Sequence, residues 1–362
     1  MEAGSIIRST MTVSGIVILV SGFWLLAIKR LTADLAVLWE IAGVMLTIAG
    51  FVFRLPEGMQ GMGRSGALFL ACIGAVGLCA CGLFGLVISR LKLSNHELAI
   101  EVSLLLGENG REGGETKKDL LIILPVKNEE KNVAGVLEQL SRPHIKDIAD
   151  ILCINDASTD ASGQVIDRYP CMQITSVFGL GYGSALQLGY KYALRRGYQF
   201  VIQMDADGQH DVCNIPLIYE KLRENEKTGG APDIVLASRF MEASTDFPVS
   251  VFKKFAFWLF RSIIRAATGQ YVADPTTGLQ GLSRRAFEYY SRYNNFDYQY
   301  PDANMVMQML LLKFRLAQVP AVMHVRTDGR SMHSGLEPAG YMVRMLLSVL
   351  AVIFRIKVLR VK

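Results

Sequence analysis

The chain has 362 residues, of which 51% are hydrophobic and 20% are charged, and its formal net charge is +5. This length allows about two domains of ordinary size, and so high a hydrophobic fraction is unusual for a water-soluble protein. The modest positive charge, without a nucleic-acid motif or a basic aromatic platform, excludes nucleic acid as a partner. The six cysteines have neither zinc-site spacing nor a disulfide framework.

Three apolar stretches near the N-terminus predict a transmembrane module at residues 1–92. The first and third stretches carry no charge, and the second carries only Asp34 and Glu40. Each is long enough to cross a hydrocarbon core of about 30 Å. The predicted spans are residues 11–28, 31–53 and 65–89.

Basic residues flank these spans and suggest an orientation. Lys29 and Arg30 follow the first span, and Arg90 and Lys92 follow the third. The positive-inside rule then favours an outside N-terminus and a multi-pass protein of the cell membrane in which the region after the third span is cytoplasmic. A cleaved signal peptide is the alternative for the first stretch, but no small-residue cleavage site follows it.

The rest of the chain has the pattern of an α/β domain. Residues 93–118 predict an amphipathic helical segment, with Leu98, Val102 and Leu105 on one face, and then a polar linker. From residue 119 to residue 334, short apolar strands alternate with amphipathic helices, which predicts a mostly parallel sheet covered by helices. The predicted strands are residues 120–124, 151–154, 173–177, 200–204 and 234–237, and the clearest helices are residues 132–140 and 183–196.

Two later segments are predicted to lie in the membrane interface. Residues 247–268 place Phe255, Trp258 and Phe260 at acyl depth, in a basic aromatic helix typical of that location. Its basic residues Lys254 and Arg261 would then lie near lipid phosphates. A core helix with a solvated basic face is the alternative. Residues 335–362 hold an apolar run that is too short to cross a membrane, and we assign them to a C-terminal interfacial amphipathic helix.

Acidic turns follow three of the predicted strands. Asp205 and Asp207 leave the strand at 200–204, where two carboxylates one residue apart can converge on one Mg²⁺ or Mn²⁺ ion. Glu129 follows the first strand and can hold ribose hydroxyls. Asp156 follows the second strand and can accept a hydrogen bond from a base ring N–H. On its own, the turn at Asp156 would be an Asx turn or a helix N-cap.

Seven motifs stand in order along residues 120–334. They are residues 124–129, 155–160, 181–189, 205–211, 237–240, 274–278 and 326–331. Together they resemble the family-2 inverting glycosyltransferases of the GT-A fold, and within that family the polyprenyl-phosphate sugar synthases such as dolichol-phosphate mannose synthase. The resemblance implies a Rossmann-like GT-A catalytic domain at residues 119–334. The chain departs from the family pattern at residues 278–280 and 329–332.

The resemblance also implies roles for single residues. Asp205, Asp207 and Gln209 match the metal and diphosphate site, and Pro125, Glu129 and Asp156 match the nucleoside site. Arg239 and Arg326 match arginines that hold the acceptor and donor phosphates, a task that suits the planar guanidinium fork.

An ionised lipid phosphate needs no general base, because it is already a nucleophile once it is positioned. Asp302 is nevertheless the single candidate for a base or a ligand of the sugar hydroxyls. Its alternative is an acidic residue at a helix N-terminus.

The transmembrane module resembles small three-span bacterial membrane proteins that act as partners of such enzymes.

These features predict inverting transfer of one sugar from a nucleotide sugar to polyprenyl (undecaprenyl) phosphate at the cytoplasmic membrane face. UDP-N-acetylglucosamine or UDP-glucose is the expected donor. The alternatives are a GDP-mannose-dependent mannose synthase, a processive polysaccharide synthase and a non-catalytic membrane scaffold. A processive synthase would carry a Gln-x-x-Arg-Trp motif, and arginine precedes none of the three tryptophans. Homo-oligomerisation through the transmembrane module stays open.

Overall fold

The computed structural model describes residues 2–52, 63–108, 118–224, 230–242, 244, 251–324 and 337–361. The chain forms two compact units. Met1–Ser94 and Ala339–Lys362 make up the first, and Asn95–Pro338 makes up the second. The domain boundaries at residues 92, 118 and 334 stay predictions.

Three long apolar helices dominate the first unit. By length and composition, α1 (Glu2–Ala27), α2 (Ala33–Val52) and α3 (Arg64–Glu108) are each able to cross a membrane. Small residues bring α1 and α2 close together: a Cβ atom on Gly15 would lie 2.7 Å from the Gly43 carbonyl oxygen. Close backbone approach at small residues is typical of packed membrane helices.

The C-terminal helix belongs to the same unit as α1 and α2. It runs as α12 (Glu337–Ile353) and ends in a π-helical turn, Phe354–Val358. The Arg344 guanidinium donates a hydrogen bond of 2.5 Å to Asp34, and the Phe354 ring meets the edge of Phe23 with centroids 5.6 Å apart. Arg344 and Arg355, which flank the predicted apolar run, are both buried in this unit.

The second unit is built on one seven-stranded sheet with the order β3-β2-β1-β4-β6-β5-β7. All neighbouring pairs are parallel except those of β6, which is antiparallel to β4 and β5. The strands are β1 (Leu120–Val126), β2 (Ala149–Asn155), β3 (Met172–Thr175), β4 (Phe200–Gln203), β5 (Ile234–Ser238), β6 (Gln280–Ser283) and β7 (Leu316–Pro320). The predicted α/β class, with a mostly parallel sheet and three apolar N-terminal helices, is confirmed, although β6 and β7 were not predicted.

Helices cover this sheet on the connections between strands. They are α4 (Val133–Leu140), α5 (Pro143–Lys146), α6 (Ser162–Ile166), α7 (Tyr182–Arg196), α8 (Asn214–Arg223), α9 (Val251–Thr268), α10 (Arg284–Ser291) and α11 (Ala303–Leu311). Central strand β1 is an almost unbroken apolar run because it is buried on both faces. Helix α7 approaches β1 closely at Gly189, where a Cβ atom would lie 2.6 Å from Ile123 Cγ2.

The last part of α3, residues 95–108, packs in the second unit with a face other than the predicted one. Ile100 and Leu104 are buried, whereas Leu98 and Leu105 are 64% and 59% exposed. Leu98 and Leu105, which the predicted amphipathic pattern places on one face, therefore lie on the exposed side of this helix. Two apolar stripes at helical spacing exist on this segment, and periodicity alone does not distinguish them.

Ionic contacts select the face of α3 that packs. The Lys191 ammonium of α7 pairs with the carboxylates of Glu97 and Glu101, the second at 2.8 Å, and Arg195 also pairs with Glu101. These pairs lie at helical spacing on α3, so they bring its Ile100 side against the second unit.

Helix α9 is partly core and partly exposed. Phe257 and Phe260 are buried, while Phe255 and Trp258 are 54% and 60% exposed. The two exposed rings stack with centroids 5.8 Å apart. The expectation that Phe260 reaches the acyl boundary was wrong, because the side chain lies in the core of the domain.

The close approach of α7 to β1 predicts a test with a matched glycine control. Gly189→Ala should lower the thermal unfolding midpoint of the purified protein, because overpacking a core contact typically costs about 1–3 kcal/mol. Gly135 of α4 has no atom within 4 Å of an added Cβ. Gly135→Ala should therefore keep or raise the midpoint, since alanine favours a helix over glycine by about 1 kcal/mol. Equal midpoints for both variants would contradict the tight packing at Gly189.

Candidate active site

The three acidic turns lie at one edge of the sheet. They follow β1, β2 and β4, which are parallel neighbours in the order β2-β1-β4. The carboxyl ends of parallel strands open on one side of the sheet, where ligands of such folds bind. The structure therefore places Glu129, Asp156 and Asp205 along a single edge.

The turns after β1 and β2 are joined by hydrogen bonds. The Asn128 Oδ1 atom accepts the Thr159 amide at 2.8 Å, and the Glu129 amide donates to Ser162 Oγ at 2.8 Å. Asn128 and Ala157 have φ values of 54° and 49°, a left-handed conformation that non-glycine residues rarely adopt. Such strain persists only where the surroundings fix the backbone, so these two loops form one rigid wall.

The carboxylates predicted to bind the nucleoside have protein partners. Glu129 Oε2 accepts a hydrogen bond from Asn132 Nδ2 at 2.6 Å. The buried Asp156 carboxylate accepts the backbone amides of Leu180 at 2.5 Å and Gly181 at 3.1 Å. Asp156 therefore fixes the turn that leads into α7. Its predicted contact with a base, like those of Glu129 and of Pro125 in β1, stays a prediction.

Asp205 lies just beyond the carboxyl end of β4, between two donors. Tyr182 Oη donates to its Oδ1 at 2.8 Å, and His210 Nε2 lies 3.2 Å from its Oδ2. Gly278 is adjacent on the other side, where a Cβ atom would come within 2.6 Å of Oδ2. Each carboxylate oxygen thus has one hydrogen-bond partner among the described residues, and a carboxylate oxygen can accept a second bond.

The charge states at this contact follow from its surroundings. Burial acts to raise the pKa of the Asp205 carboxyl, but the hydrogen bonds from His210 and Tyr182 outweigh it and hold this pKa below its usual range. Burial, and then the Asp205 charge, raises the pKa of Tyr182 well above its ordinary value. At neutral pH the carboxylate is therefore ionised and the phenol keeps its proton.

Asp207 and Gln209 occupy the turn beyond Asp205. The half-buried Asp207 accepts the Gln209 amide at its Oδ1, at 3.0 Å, and Gly208 between them has a φ of 79°. In the part of the chain that the structure describes, no three His, Cys, Asp or Glu residues are grouped to hold a metal. Two carboxylates alone still fit Mg²⁺, which commonly takes one or two carboxylates and completes its shell with water and phosphate oxygens.

Arg239 follows β5 and forms a buried ion pair. Its Nε and Nη2 atoms donate to Asp274 at 2.6 and 2.8 Å, and Nη2 also reaches Thr276 Oγ1 at 3.1 Å. The Phe257 ring of α9 lies 5.4 Å from the guanidinium. Burial acts to lower the pKa of Arg239, but the hydrogen bonds and charge of Asp274 raise it overall. The predicted phosphate ligand is thus a fixed cation.

Asp302 lies close enough to this group to act on it electrostatically. It stands at the N-cap of α11, and its negative charge helps to raise the pKa values of Tyr182 and Arg239. The structure therefore places Asp205, Arg239 and Asp302 within electrostatic reach of one another, and their predicted roles stay predictions.

The other predicted phosphate ligands are less central or not described. Lys254 is exposed on α9, and the Arg261 guanidinium lies 4.7 Å from the Phe240 ring centroid. Arg326 and the motif at residues 329–332 lie outside the described residues, so their predicted roles receive no structural account.

Three residues of this site had no predicted role. Tyr182, His210 and Asp274 each lie within a motif of the sequence, at residues 181–189, 205–211 and 274–278. The signal for Tyr182 was its place between two glycines, and the signal for Asp274 was an acidic residue ahead of a glycine motif. Neither signal identifies the residue with which Tyr182 or Asp274 pairs, because Asp205 and Arg239 lie far away along the chain.

Part of the chain matches a known protein family and one curated protein. Residues 121–290 match the family model described as Glycosyl transferase family 2. The uncharacterized protein MJ1222 of Methanocaldococcus jannaschii is 25% identical over 170 residues, which are 47% of this chain and 67% of that protein.

Solved structures of glucosyl-3-phosphoglycerate synthase from Mycobacterium tuberculosis are also similar. The complex with Mn²⁺, UDP and glucosyl-3-phosphoglycerate has a TM-score of 0.46 at 18% identity, covering 69% of this chain and 81% of that chain. The complex with Mn²⁺ and UDP-glucose has a TM-score of 0.45 at 18% identity, with the same coverage of both chains.

The buried ion pair predicts a large effect on stability. Asp274→Asn should lower the free energy of unfolding by about 3 kcal/mol, because it leaves the guanidinium of Arg239 without its charged partner. The exposed pair of Glu288 and Arg292, with side chains 42% and 64% exposed, is the control. Glu288→Gln should cost less than about 0.5 kcal/mol. Thermal unfolding of both variants measures the difference, and similar midpoints would contradict a structural role for Asp274.

Proposed function

We propose that this chain, which contains a glycosyl transferase family 2 domain at residues 121–290, transfers one sugar from a nucleotide sugar to a polyprenyl phosphate with inversion. The glycosyltransferase class predicted from the motifs is confirmed by the family match. The lipid acceptor, the identity of the donor, the partner-like role of the membrane module and the cytoplasmic orientation belong to the proposal.

One arrangement supports the transfer chemistry most directly. Asp205 and Asp207 leave the carboxyl end of β4, and Asp205 shares its surroundings with Arg239 and Asp302. Ionised carboxylates repel a nucleotide diphosphate, so a site that binds one here needs a cation between them. Asp205 and Asp207, with Gln209 beside them, would hold Mg²⁺ or Mn²⁺. Such an ion neutralises the diphosphate leaving group.

The donor nucleoside is assigned to the edge of β1 and β2. The rigid wall formed by the turns at Asn128 and Ala157 borders this edge, with Pro125, Glu129 and Asp156 along it. UDP-N-acetylglucosamine or UDP-glucose is the proposed donor, and GDP-mannose is the alternative.

Three helices able to cross a membrane support a lipid acceptor. A lipid phosphate is ionised at neutral pH, so transfer requires positioning and charge stabilisation rather than proton abstraction. Arg239, as a fixed cation, is the proposed contact of the acceptor phosphate, with Arg261, Lys254 and Arg326 as further cations. Asp302 remains the candidate for a ligand of the sugar hydroxyls.

The exposed aromatic pair on α9 supports contact with a lipid surface. Phe255 and Trp258 stack on each other and face outward, and Lys254 beside them is also exposed. Aromatic rings next to a basic residue are typical of helices that lie at the headgroup level. We therefore assign this part of α9 to the membrane interface.

A mass assay of the lipid product tests the function. Detergent-purified protein with polyprenyl phosphate and a panel of nucleotide sugars should yield a lipid that is heavier by one sugar. Asp207→Asn should lower the rate about a hundredfold or more, because loss of one preorganised charge at such a site commonly has that effect. Chelation should abolish transfer, and Mg²⁺ or Mn²⁺ should restore it.

The control for this assay is an exposed aspartate away from the site. Asp167, at the C-terminal end of α6, is exposed, and Asp167→Asn should keep normal turnover. Near-normal turnover of Asp207→Asn would rule out the cation assignment, and a ladder of repeated sugar additions would favour the processive alternative. Absence of product with every donor would favour the scaffold.

A second experiment tests the interfacial role of α9. Replacing both Phe255 and Trp258 by alanine should raise the apparent KM for polyprenyl phosphate about tenfold, or about 1.4 kcal/mol. The KM for the nucleotide sugar should stay within about twofold, since burial of apolar rings in lipid concerns the acceptor alone. Lys254→Glu should also raise the apparent KM for polyprenyl phosphate.

Tyr293 provides the matched control for the aromatic pair, because it is another exposed ring, in the segment after α10. Tyr293→Ala should leave both constants unchanged. Equal changes in both KM values for the α9 variant would mean that the helix only supports the domain core.

A further inference from the structure

We propose that Tyr182 is a positioning residue that orients the Asp205 carboxylate for the cation and diphosphate of the donor. The inference rests on the proposed function, which puts a divalent cation beside Asp205. Tyr182 acts through Asp205 and need not touch the substrate. Nothing in the pattern of the motifs assigns this task to the tyrosine.

The backbone around Tyr182 is fixed on both sides. Gly181 has a φ of 88°, and a Cβ atom on Gly183 would lie 2.1 Å from the Asp297 carbonyl oxygen, so only glycine fits there. The next residue, Ser184, donates its amide to the Tyr298 carbonyl at 3.0 Å. These contacts set the start of α7 and therefore the direction in which the tyrosine side chain leaves the helix.

The Tyr182 hydroxyl makes one of the two hydrogen bonds that orient the Asp205 carboxylate. The terminal torsion of an aspartate is broad, so its oxygens turn freely unless both are bound. Tyr182 Oη at 2.8 Å holds Oδ1, while His210 Nε2 at 3.2 Å holds Oδ2 and Gly278 closes the space beside Oδ2. Without the phenol, one oxygen is anchored and the other is not. The second lone pair of Oδ1 then loses its fixed direction toward a ligand.

A second tyrosine of the chain makes the same bond elsewhere. Tyr198 Oη donates to Asp150 Oδ2 at 2.8 Å. Asp150 lies at the amino end of β2, and Tyr198 lies just before the amino end of β4, so this pair sits at the end of the strands opposite to Asp205. Tyr198→Phe removes an equal hydrogen bond without reaching the site. It is therefore a matched control for Tyr182→Phe.

The test measures cation binding directly on the full-length protein in detergent. Mn²⁺ is titrated in the presence of UDP, and free Mn²⁺ is counted by its electron paramagnetic resonance signal. Tyr182→Phe should raise the Mn²⁺ dissociation constant about tenfold, since hydrogen bonds to charged groups are among the stronger ones. Tyr198→Phe should stay within about twofold of the wild type, whatever its thermal midpoint.

A third variant disturbs the Asp205 carboxylate at Oδ2, the oxygen that Tyr182 does not contact. Gly278→Ala places a methyl group against Asp205 Oδ2 and leaves Tyr182 intact. It should weaken Mn²⁺ binding to a similar extent, and in both variants the Mn²⁺ concentration for half-maximal transfer should rise while the KM for polyprenyl phosphate stays constant. A merely structural tyrosine would lower the midpoint of unfolding without moving these constants.

The outcomes separate this inference from the function beneath it. Wild-type Mn²⁺ affinity in Tyr182→Phe, with weakened affinity in Gly278→Ala, would overturn the role of the tyrosine alone. A wild-type protein that binds no Mn²⁺ with UDP would overturn the cation site and this inference together. Tight binding in the wild type without any lipid product would overturn the lipid acceptor and leave the role of Tyr182 standing.

Discussion

A buried carboxylate must be hydrogen-bonded, and the way in which Asp156 meets this requirement shapes the whole site. Its two oxygens accept the amides of Leu180 and Gly181, which form the turn ahead of α7. The turn decides where α7 begins, and α7 begins with Tyr182, whose hydroxyl reaches Asp205. The hydrogen bonds of Asp156, at the end of β2, therefore help to fix the orientation of Asp205, at the end of β4.

The charges of the site are balanced in two different ways. Asp274 holds the Arg239 guanidinium in place through two parallel hydrogen bonds, which fixes the position of this cation. Asp205 and Asp207 instead lie partly open to solvent. An excess of negative charge remains on the open side. A nucleotide diphosphate is also negative, so this side becomes a binding surface only when a cation joins the two.

Sequence reasoning found the features that depend on local pattern. The apolar run of β1 was predicted because a strand that is buried on both faces is almost entirely apolar. The acidic turns after β1, β2 and β4 were predicted because polar residues directly follow an apolar strand. Strand β6 was missed because Gln280–Ser283 is short and carries no alternation. The bond from Tyr182 to Asp205 joins residues 23 positions apart. This contact depends on how α7 packs on the sheet, and the local sequence pattern does not predict that packing.

Helix α9 has two apolar faces, and each has a different reason to exist. Phe257 faces inward, and its ring lies against the guanidinium of Arg239, so this face helps to hold the cation proposed for the acceptor phosphate. Phe255 and Trp258 face outward, where water would solvate them at a cost of about 25 cal/mol per Å² of apolar area. Polar residues would serve a purely soluble surface better at these positions. One helix that carries both faces ties the position of Arg239 to that of the outward aromatic pair. A phosphate at headgroup depth requires that coupling, whereas a water-soluble acceptor would not.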